Sequence, residues 1–323
     1  RYPQNHLIPR QMIPGVGICV IVLLAAGALW NKIYSLIGKR TPLYLLALAI
    51  FGVLLYITSL SRQGNENTLV DYTYVYRDAM NLATGGTLEY TDYFVTYSNN
   101  LKPMLLLSVW FRVVVLLGIS PFHFVLLRNV LLVLLVVWAC GYLTEQKGDC
   151  RWRFPILLTF AFLLPLWDMV SVFYTDSMSF GLGILTLALL KKAGSAKTNR
   201  GKTLWSVLAG AVTVLAIIWK ITAIIPLIAC IMILLWQREK ADRHVILSFV
   251  VSVIVFGVGL QLWTNTYDVT RKAAVTANPV ISWVALGMKE DGSWTNNTEL
   301  VEQMYQFSTK EEKQQYCVEY IRE

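Results

Sequence analysis

The stretch VDYTYVYRDAMNLATGG, residues 70–86, carries two carboxylates, Asp71 and Asp78, in an aromatic-rich setting. Its pattern predicts a helix, with Asp71 as N-cap and Gly85-Gly86 as the stop. On that helix Asp71, Tyr74, Val75, Asp78 and Leu82 share a face, because positions i, i+3, i+4 and i+7 align. The two carboxylates then lie about 10 Å apart along the axis and point the same way. A carboxylate at a bilayer surface, walled by apolar groups, has its pKa raised and can act as a general base. The structural alternative is that Asp71 caps the helix and Asp78 is solvated. Tyr72, Tyr74, Tyr76, Tyr90, Tyr93, Phe94 and Tyr97 crowd the same segment. A tyrosine offers a sugar an apolar face and a hydroxyl, and it equally furnishes the interfacial belt of a membrane protein.

Three more charges stand out because their surroundings are apolar. Asp168 and Asp176 lie in LPLWDMVSVFYTDSMSF, and Lys220 lies in LAIIWKITAIIP as the only charge between Lys202 and Arg238. Charges at membrane depth are costly and usually face a cavity or a partner. Asp176 also suits a helix N-cap. Lys220 could hold a phosphate as a point charge, or snorkel to the interface.

These groups need elements to hold them, and composition says which kind. Of 323 residues 56% are hydrophobic and 15% charged, against about 25% charged in a soluble domain. Apolar runs near the roughly 20 residues needed to cross a bilayer recur along the chain. They are Gly15–Ile37, Pro42–Leu60, Leu101–Ile119, Phe124–Leu143, Phe154–Tyr174, Ser177–Leu190, Leu204–Trp219, Ile221–Trp236 and Val245–Trp263. The chain therefore reads as an all-α, polytopic transmembrane helical bundle, a multi-pass protein of the cell membrane. Residues 1–263 form the core, with a long first outer loop at 61–100 containing interfacial helices, and 264–323 form an outward-facing segment of a longer chain.

Loop charge sets the orientation. Lys191, Lys192, Lys197, Arg200 and Lys202 fall in one short loop without an acid. Lys39 with Arg40, Arg238 with Lys240 and Arg243, and Lys147 with Arg151 and Arg153 mark three more basic turns. All four should be cytoplasmic. The loop 61–100 holds five acids against two basic residues and should face outward. Two apolar runs then separate an outward loop from a cytoplasmic one, where parity allows one crossing. Leu101–Ile119 is the one expected not to cross, because a centred Arg112 costs about 2.5–3.5 kcal/mol on insertion. Eight crossings remain, and Asp71, Asp176, Lys220 and the tail share the outer face.

Other chemistries are excluded or unsupported. The net charge of +8 is accounted for by the basic turns, so it does not point to nucleic acid. His6, His123 and His244 and the five cysteines show no metal-ligand spacing, and no P-loop or dinucleotide fingerprint occurs. Asn296-Asn297-Thr298 fits a glycosylation sequon, a weak pattern.

With these residues in place, the chain resembles the GT-C membrane glycosyltransferases, specifically the protein-mannosyltransferase-like family 39 of Gram-positive bacteria. The likeness rests on Asp71–Ala79, on YFVTYSNNLKP at Tyr93–Pro103, and on PVISWVALGMKEDGSWTN at Pro279–Asn296 followed by STKEEKQQY. Tyr174–Asp176 and Lys220 also sit where such proteins carry an outer Asp and a basic residue. Ser98 departs from the pattern, standing where a Pro is common. The resemblance implies an inverting transfer of a sugar from a polyprenyl-phosphate donor to a cell-envelope glycan or protein. A loop carboxylate, Asp71 or Asp78, is the base. Lys220 and Arg77 meet the phosphate, Asp176 binds sugar or acceptor, and Tyr74, Tyr97, Asn99, Asn100 and Lys102 line the substrate. The resemblance fixes no certain cofactor and leaves room for a divalent metal, which the residue spacing does not support. The alternatives from other classes are a transporter or flippase for lipid-linked glycans and a non-catalytic assembly factor.

Overall fold

The structure, a computed structural model, describes residues 41–60, 70–145, 149–171, 175–225, 228, 232, 242–288 and 298–322. The expected runs Gly15–Ile37 and most of Ile221–Trp236 lie outside the described residues. So do Lys39, Arg40, Lys147, Arg238, Lys240, Tyr174 and Asn296-Asn297.

Among the described residues four helices are long and apolar enough to cross a membrane: α1 (Thr41–Leu60), α5 (Pro121–Thr144), α10 (Asn199–Trp219) and α11 (Arg243–Thr264). They match four of the expected apolar runs. Between α1 and α5 come α2 (Val70–Ala83), α3 (Thr91–Thr96) and α4 (Leu101–Leu116). Between α5 and α10 come α6 (Arg153–Phe162), α7 (Leu164–Ser171), α8 (Thr175–Ser179) and α9 (Leu182–Gly194). The tail forms α12 (Asp268–Thr276), α13 (Ile281–Met288), α14 (Thr298–Gln306) and α15 (Lys310–Arg322). Among the described residues this is an all-α bundle. Large apolar side chains such as Leu247, Val250, Ile254, Val258 and Leu262 of α11 point outward. In a bilayer that surface meets lipid tails instead of water.

Two expected single spans are broken. The run Phe154–Tyr174 divides into α6 and α7, bent by 70°. Pro165 has no N–H to give the carbonyl of Ala161, and its ring crowds that carbonyl. The Trp167 indole takes over, donating to Ala161 O at 2.9 Å, so the bend leaves that acceptor satisfied. The run Ser177–Leu190 divides into α8 and α9 at Gly181, which is left-handed with φ +62°. A Cβ there would stand 2.4 Å from a methyl of Val136 on α5, so glycine answers both the backbone and the packing.

Leu101–Ile119 forms α4, 16 residues long. At about 1.5 Å per residue it reaches about 24 Å, short of the hydrocarbon core of about 30 Å. Its first turn lies beside the end of α11, where Lys102 Nζ donates to Gln261 Oε1 at 2.7 Å. Its last turn leads directly into the start of α5. Both ends of α4 thus lie at one end of the bundle. Arg112 caps α2 by donating to Leu82 O at 3.2 Å, where the helix dipole favours a cation.

The described parts of the basic turns meet at the other end. Arg153 pairs with Glu145 and reaches Thr41 Oγ1 at 3.4 Å. Lys191 Nζ donates to the carbonyls of Tyr142, Leu143 and Glu145 at 2.8, 3.1 and 2.7 Å. Lys202 pairs with Asp242 at 2.5 Å, and Thr203 Oγ1 bonds His244 Nε2 at 2.8 Å. Helices α10 and α11 therefore start side by side and run parallel, so the chain returns to the basic end between them.

Candidate functional site

At the end opposite the basic turns, α2 stops in a tight glycine cap. Gly85, at φ +86°, donates to Leu82 O, and Gly86 donates to Asn81 O at 2.7 Å. This is the Schellman arrangement, and it turns the chain back along α2. Asp78, fully buried, holds the returning strand of chain: it accepts from Glu89 N at 2.8 Å and Tyr90 N at 2.9 Å. Burial pushes its carboxyl above the usual carboxylate range, with the backbone bonds opposing. The expectation of a solvated Asp78 is thus corrected. Its oxygens accept from two main-chain N–H groups and, at 3.4 Å, from Asn81 Nδ2.

Asp71 lies in the first turn of α2, not at the N-cap expected for it. Tyr93 Oη donates to Asp71 Oδ1 at 2.7 Å, and Asn100 Nδ2 donates to Tyr93 Oη at 2.6 Å. Asn99 Nδ2 in turn donates to Asn100 Oδ1 at 3.2 Å. Tyr74 packs on Tyr93 and Tyr90 with ring centroids 4.4 and 4.6 Å apart. Arg77 Nη1 donates to Tyr90 Oη at 3.1 Å. Asp71, Tyr74, Arg77, Tyr90, Tyr93, Tyr97, Asn99 and Asn100 therefore form one connected cluster. Lys102 stands two residues beyond Asn100, and burial holds its ammonium below the ordinary lysine range. The tail closes over this cluster: Asn278 N donates to Thr96 O at 3.0 Å, and the Tyr97 and Tyr305 hydroxyls meet at 2.7 Å. Desolvation, then the Tyr305 bond, raises the Tyr97 pKa.

Asp176 and Lys220, 44 residues apart in sequence, form an ion pair. Lys220 is thus not the lone cation expected. Around it sits a residue that sequence reasoning passed over. Arg128, two turns into α5, donates to Met178 O at 2.5 Å and to Asn129 Oδ1 at 3.0 Å. Its guanidinium lies 5.6 and 5.5 Å from the ring centroids of Trp110 and Trp219. Among the described residues the buried Trp219 Nε1 has no hydrogen-bond partner, and such a donor costs about 1–3 kcal/mol. The signal for Arg128 was present in sequence, an arginine inside an apolar run, and it is the argument that singled out Arg112. Asp168 is exposed on α7.

The two clusters do not converge. The first is anchored at Asn100 and the second at Trp110, whose ring is 5.7 Å from that of Trp219. Ten residues of α4 separate them, about 15 Å along the helix. Lys220 therefore does not stand beside Asp71. Among the described residues, no group of three or more His, Cys, Asp or Glu is placed to hold a metal ion.

With apolar helices, lipid-facing surfaces and polar clusters at one end, the chain has the anatomy of a membrane-embedded protein. Over residues 8–323 it matches the family described as conserved hypothetical integral membrane protein. The chain belongs to that family. The match covers both clusters and the tail, so all of them are features of a family member's integral membrane fold. No curated protein and no solved structure matches the chain. The family description carries membrane embedding and is silent on chemistry.

Proposed function

We propose that this integral membrane protein is a glycosyltransferase moving a sugar from a polyprenyl-phosphate donor to a cell-envelope acceptor, with Asp71 as base. The observation that supports this reading is the directional chain Asn100 to Tyr93 to Asp71 at the end away from the basic turns. Tyr93 accepts from Asn100 and donates to Asp71, which fixes one carboxylate oxygen and orients the group toward an acceptor hydroxyl. Asp71 takes the hydroxyl proton, the acceptor oxygen bonds to the anomeric carbon, and the carbon–oxygen bond to phosphate breaks with inversion. The departing lipid phosphate carries the electron pair and needs a cation in a low-dielectric setting. Lys102, whose recorded partner is the neutral amide of Gln261, is better placed for this than Lys220 or Arg77. The tilted rings of Tyr74, Tyr90 and Tyr93 supply apolar faces for the sugar.

Asp71→Asn, assayed in membranes with labelled polyprenyl-phosphate sugars, should lose transfer by at least about 100-fold while the protein remains inserted. Unchanged transfer by that variant removes Asp71 as base. A transporter for lipid-linked glycans is the second reading, and the breaks at Pro165 and Gly181 favour it, since transporters use interrupted helices at mid-membrane. Under that reading, wild-type membranes translocate the lipid-linked sugar and form no transfer product.

A further inference from the structure

The second cluster has more donors than its surroundings use. Arg128 and Lys220 bring two positive charges, and Asp176 brings one negative charge. Arg128 is held by a carbonyl, a thioether, an amide and two indole faces, all neutral. Beside it, among the described residues, the buried Trp219 indole N–H has no acceptor. An excess cation and an orphaned donor, both at membrane depth, are unstable company unless an anion joins them. The geometry is tight, because Asp176 and Met178 sit on the single turn of α8 that touches both cations.

The surroundings also say how the anion arrives. Leu127 and Leu131 flank Arg128 on α5, and Ile221 and Ile225 follow Lys220; all four are exposed. In a membrane these side chains face hydrocarbon. An anion reaching this cluster along that surface is one attached to an apolar chain. Two monocations match a dianion, with Arg supplying a fork of N–H groups and Lys a point charge.

We propose that Arg128, Trp219 and Lys220 form a binding site for the phosphate of a hydrocarbon-borne phosphomonoester, with Asp176 as the resident counter-ion that the phosphate replaces on Lys220. The site is separate from Asp71 and does not depend on the transfer reading. Its sign is distinctive: Asp176 opposes the ligand, whereas a sugar-binding Asp176 would assist it.

The test uses the full chain in phosphatidylcholine nanodiscs, with geranyl phosphate as probe and calorimetric titration as readout. Saturable binding is expected. Arg128→Gln should weaken it by at least about tenfold, the scale of a lost charge-assisted hydrogen bond. Asp176→Asn should tighten it by about threefold, as a partly exposed opposing charge is removed. Should Arg128→Gln fail to fold, the direction of the Asp176→Asn change still decides. Inorganic phosphate and geraniol separate the sources. Binding of geranyl phosphate alone supports the proposal as stated. Equal binding of inorganic phosphate keeps the anion site and overturns the lipid source. Equal binding of geraniol, no saturable binding, or weaker or unaltered binding by Asp176→Asn overturns the site.

Discussion

The two ends of the bundle use their cations differently. At the basic end Lys191 spends all three N–H groups on the carbonyls that end α5, Lys202 pairs with Asp242, Arg153 pairs with Glu145, and Lys192 lies 4.0 Å from the Trp205 ring centroid. Each of these charges is consumed by the fold. At the opposite end Lys220 pairs with Asp176 while Arg128 meets neutral groups, and among the described residues the buried Trp219 indole N–H beside it has no acceptor. Basic residues in loops therefore speak to orientation and anchoring, whereas a cation within or just beyond an apolar helix must be judged by whether the fold already satisfies it, as Leu82 O satisfies Arg112. The number of charges at an end says less than how many are already satisfied.

The largest effect should come from breaking the joint between the two ends. Gly181 links α8, which carries Asp176 and Met178, to α9, which carries Lys191. A methyl at this position meets Val136 and sits on a left-handed backbone. Gly181→Ala should cost about 2–4 kcal/mol, combining overpacking with the left-handed penalty. Thermal unfolding in detergent measures the loss, and geranyl phosphate binding should fall with it because α8 is displaced.

Next comes a direct contrast of two lysines. Lys191→Met removes a cation from three helix-terminal carbonyls and should destabilise the protein by about 1.5–3 kcal/mol. Ligand binding at the other end should be unaffected. Lys220→Met should show the reverse, a small stability change, since its ion pair is partly exposed and screened, with weakened geranyl phosphate binding. If the two variants behave alike in both assays, the division between the ends is wrong.

Much of this arrangement was legible in sequence. Apolar length identified α1, α5, α10 and α11, and Arg112 marked α4 as the run that stays at one end. Loop charge led to the expectation that Asp71, Asp176, Lys220 and the tail share an outer face, and the structure holds Asp71 and Lys220 in separate clusters. What escaped was backbone and pairing. Hydropathy runs unbroken through Pro165 and Gly181, so the bends at α6–α7 and α8–α9 leave no mark in an apolar count. The Asp176–Lys220 pair joins α8 to the end of α10, and Arg128 meets Trp110 and Trp219 from two other helices. Contacts between elements so far apart in sequence arise only in the packed bundle.

Asp78 sharpens the account of the Asp71 cluster through pH. Its folded pKa is raised by burial, so the native state binds the proton more tightly than the unfolded chain does. The sign follows: stability is greatest below the unfolded value of about 3.9 and declines as pH rises through the folded value. Unfolding measured across that window should show this negative slope, and Asp78→Asn should flatten it. The same variant places an amide N–H against Glu89 N or Tyr90 N and should cost about 1–3 kcal/mol at neutral pH. A slope unchanged by Asp78→Asn assigns it to another group.

The smallest effect concerns how the tail closes on the loop that holds Asp71. The Tyr97–Tyr305 hydroxyl pair is exposed, and Asn278 N to Thr96 O together with α12 packing already holds the tail against α3. Tyr97→Phe removes one neutral hydrogen bond, so stability should drop by only about 0.5–1.5 kcal/mol. Hydrogen exchange gives a finer reading than melting, because local opening can change while the global transition does not. Faster exchange confined to α14, with α12 protected as before, is the expected pattern. Exchange rising equally in α12 and α3 would mean that the tyrosine pair, and not the main-chain bond at Thr96, is what holds the tail over Asp71.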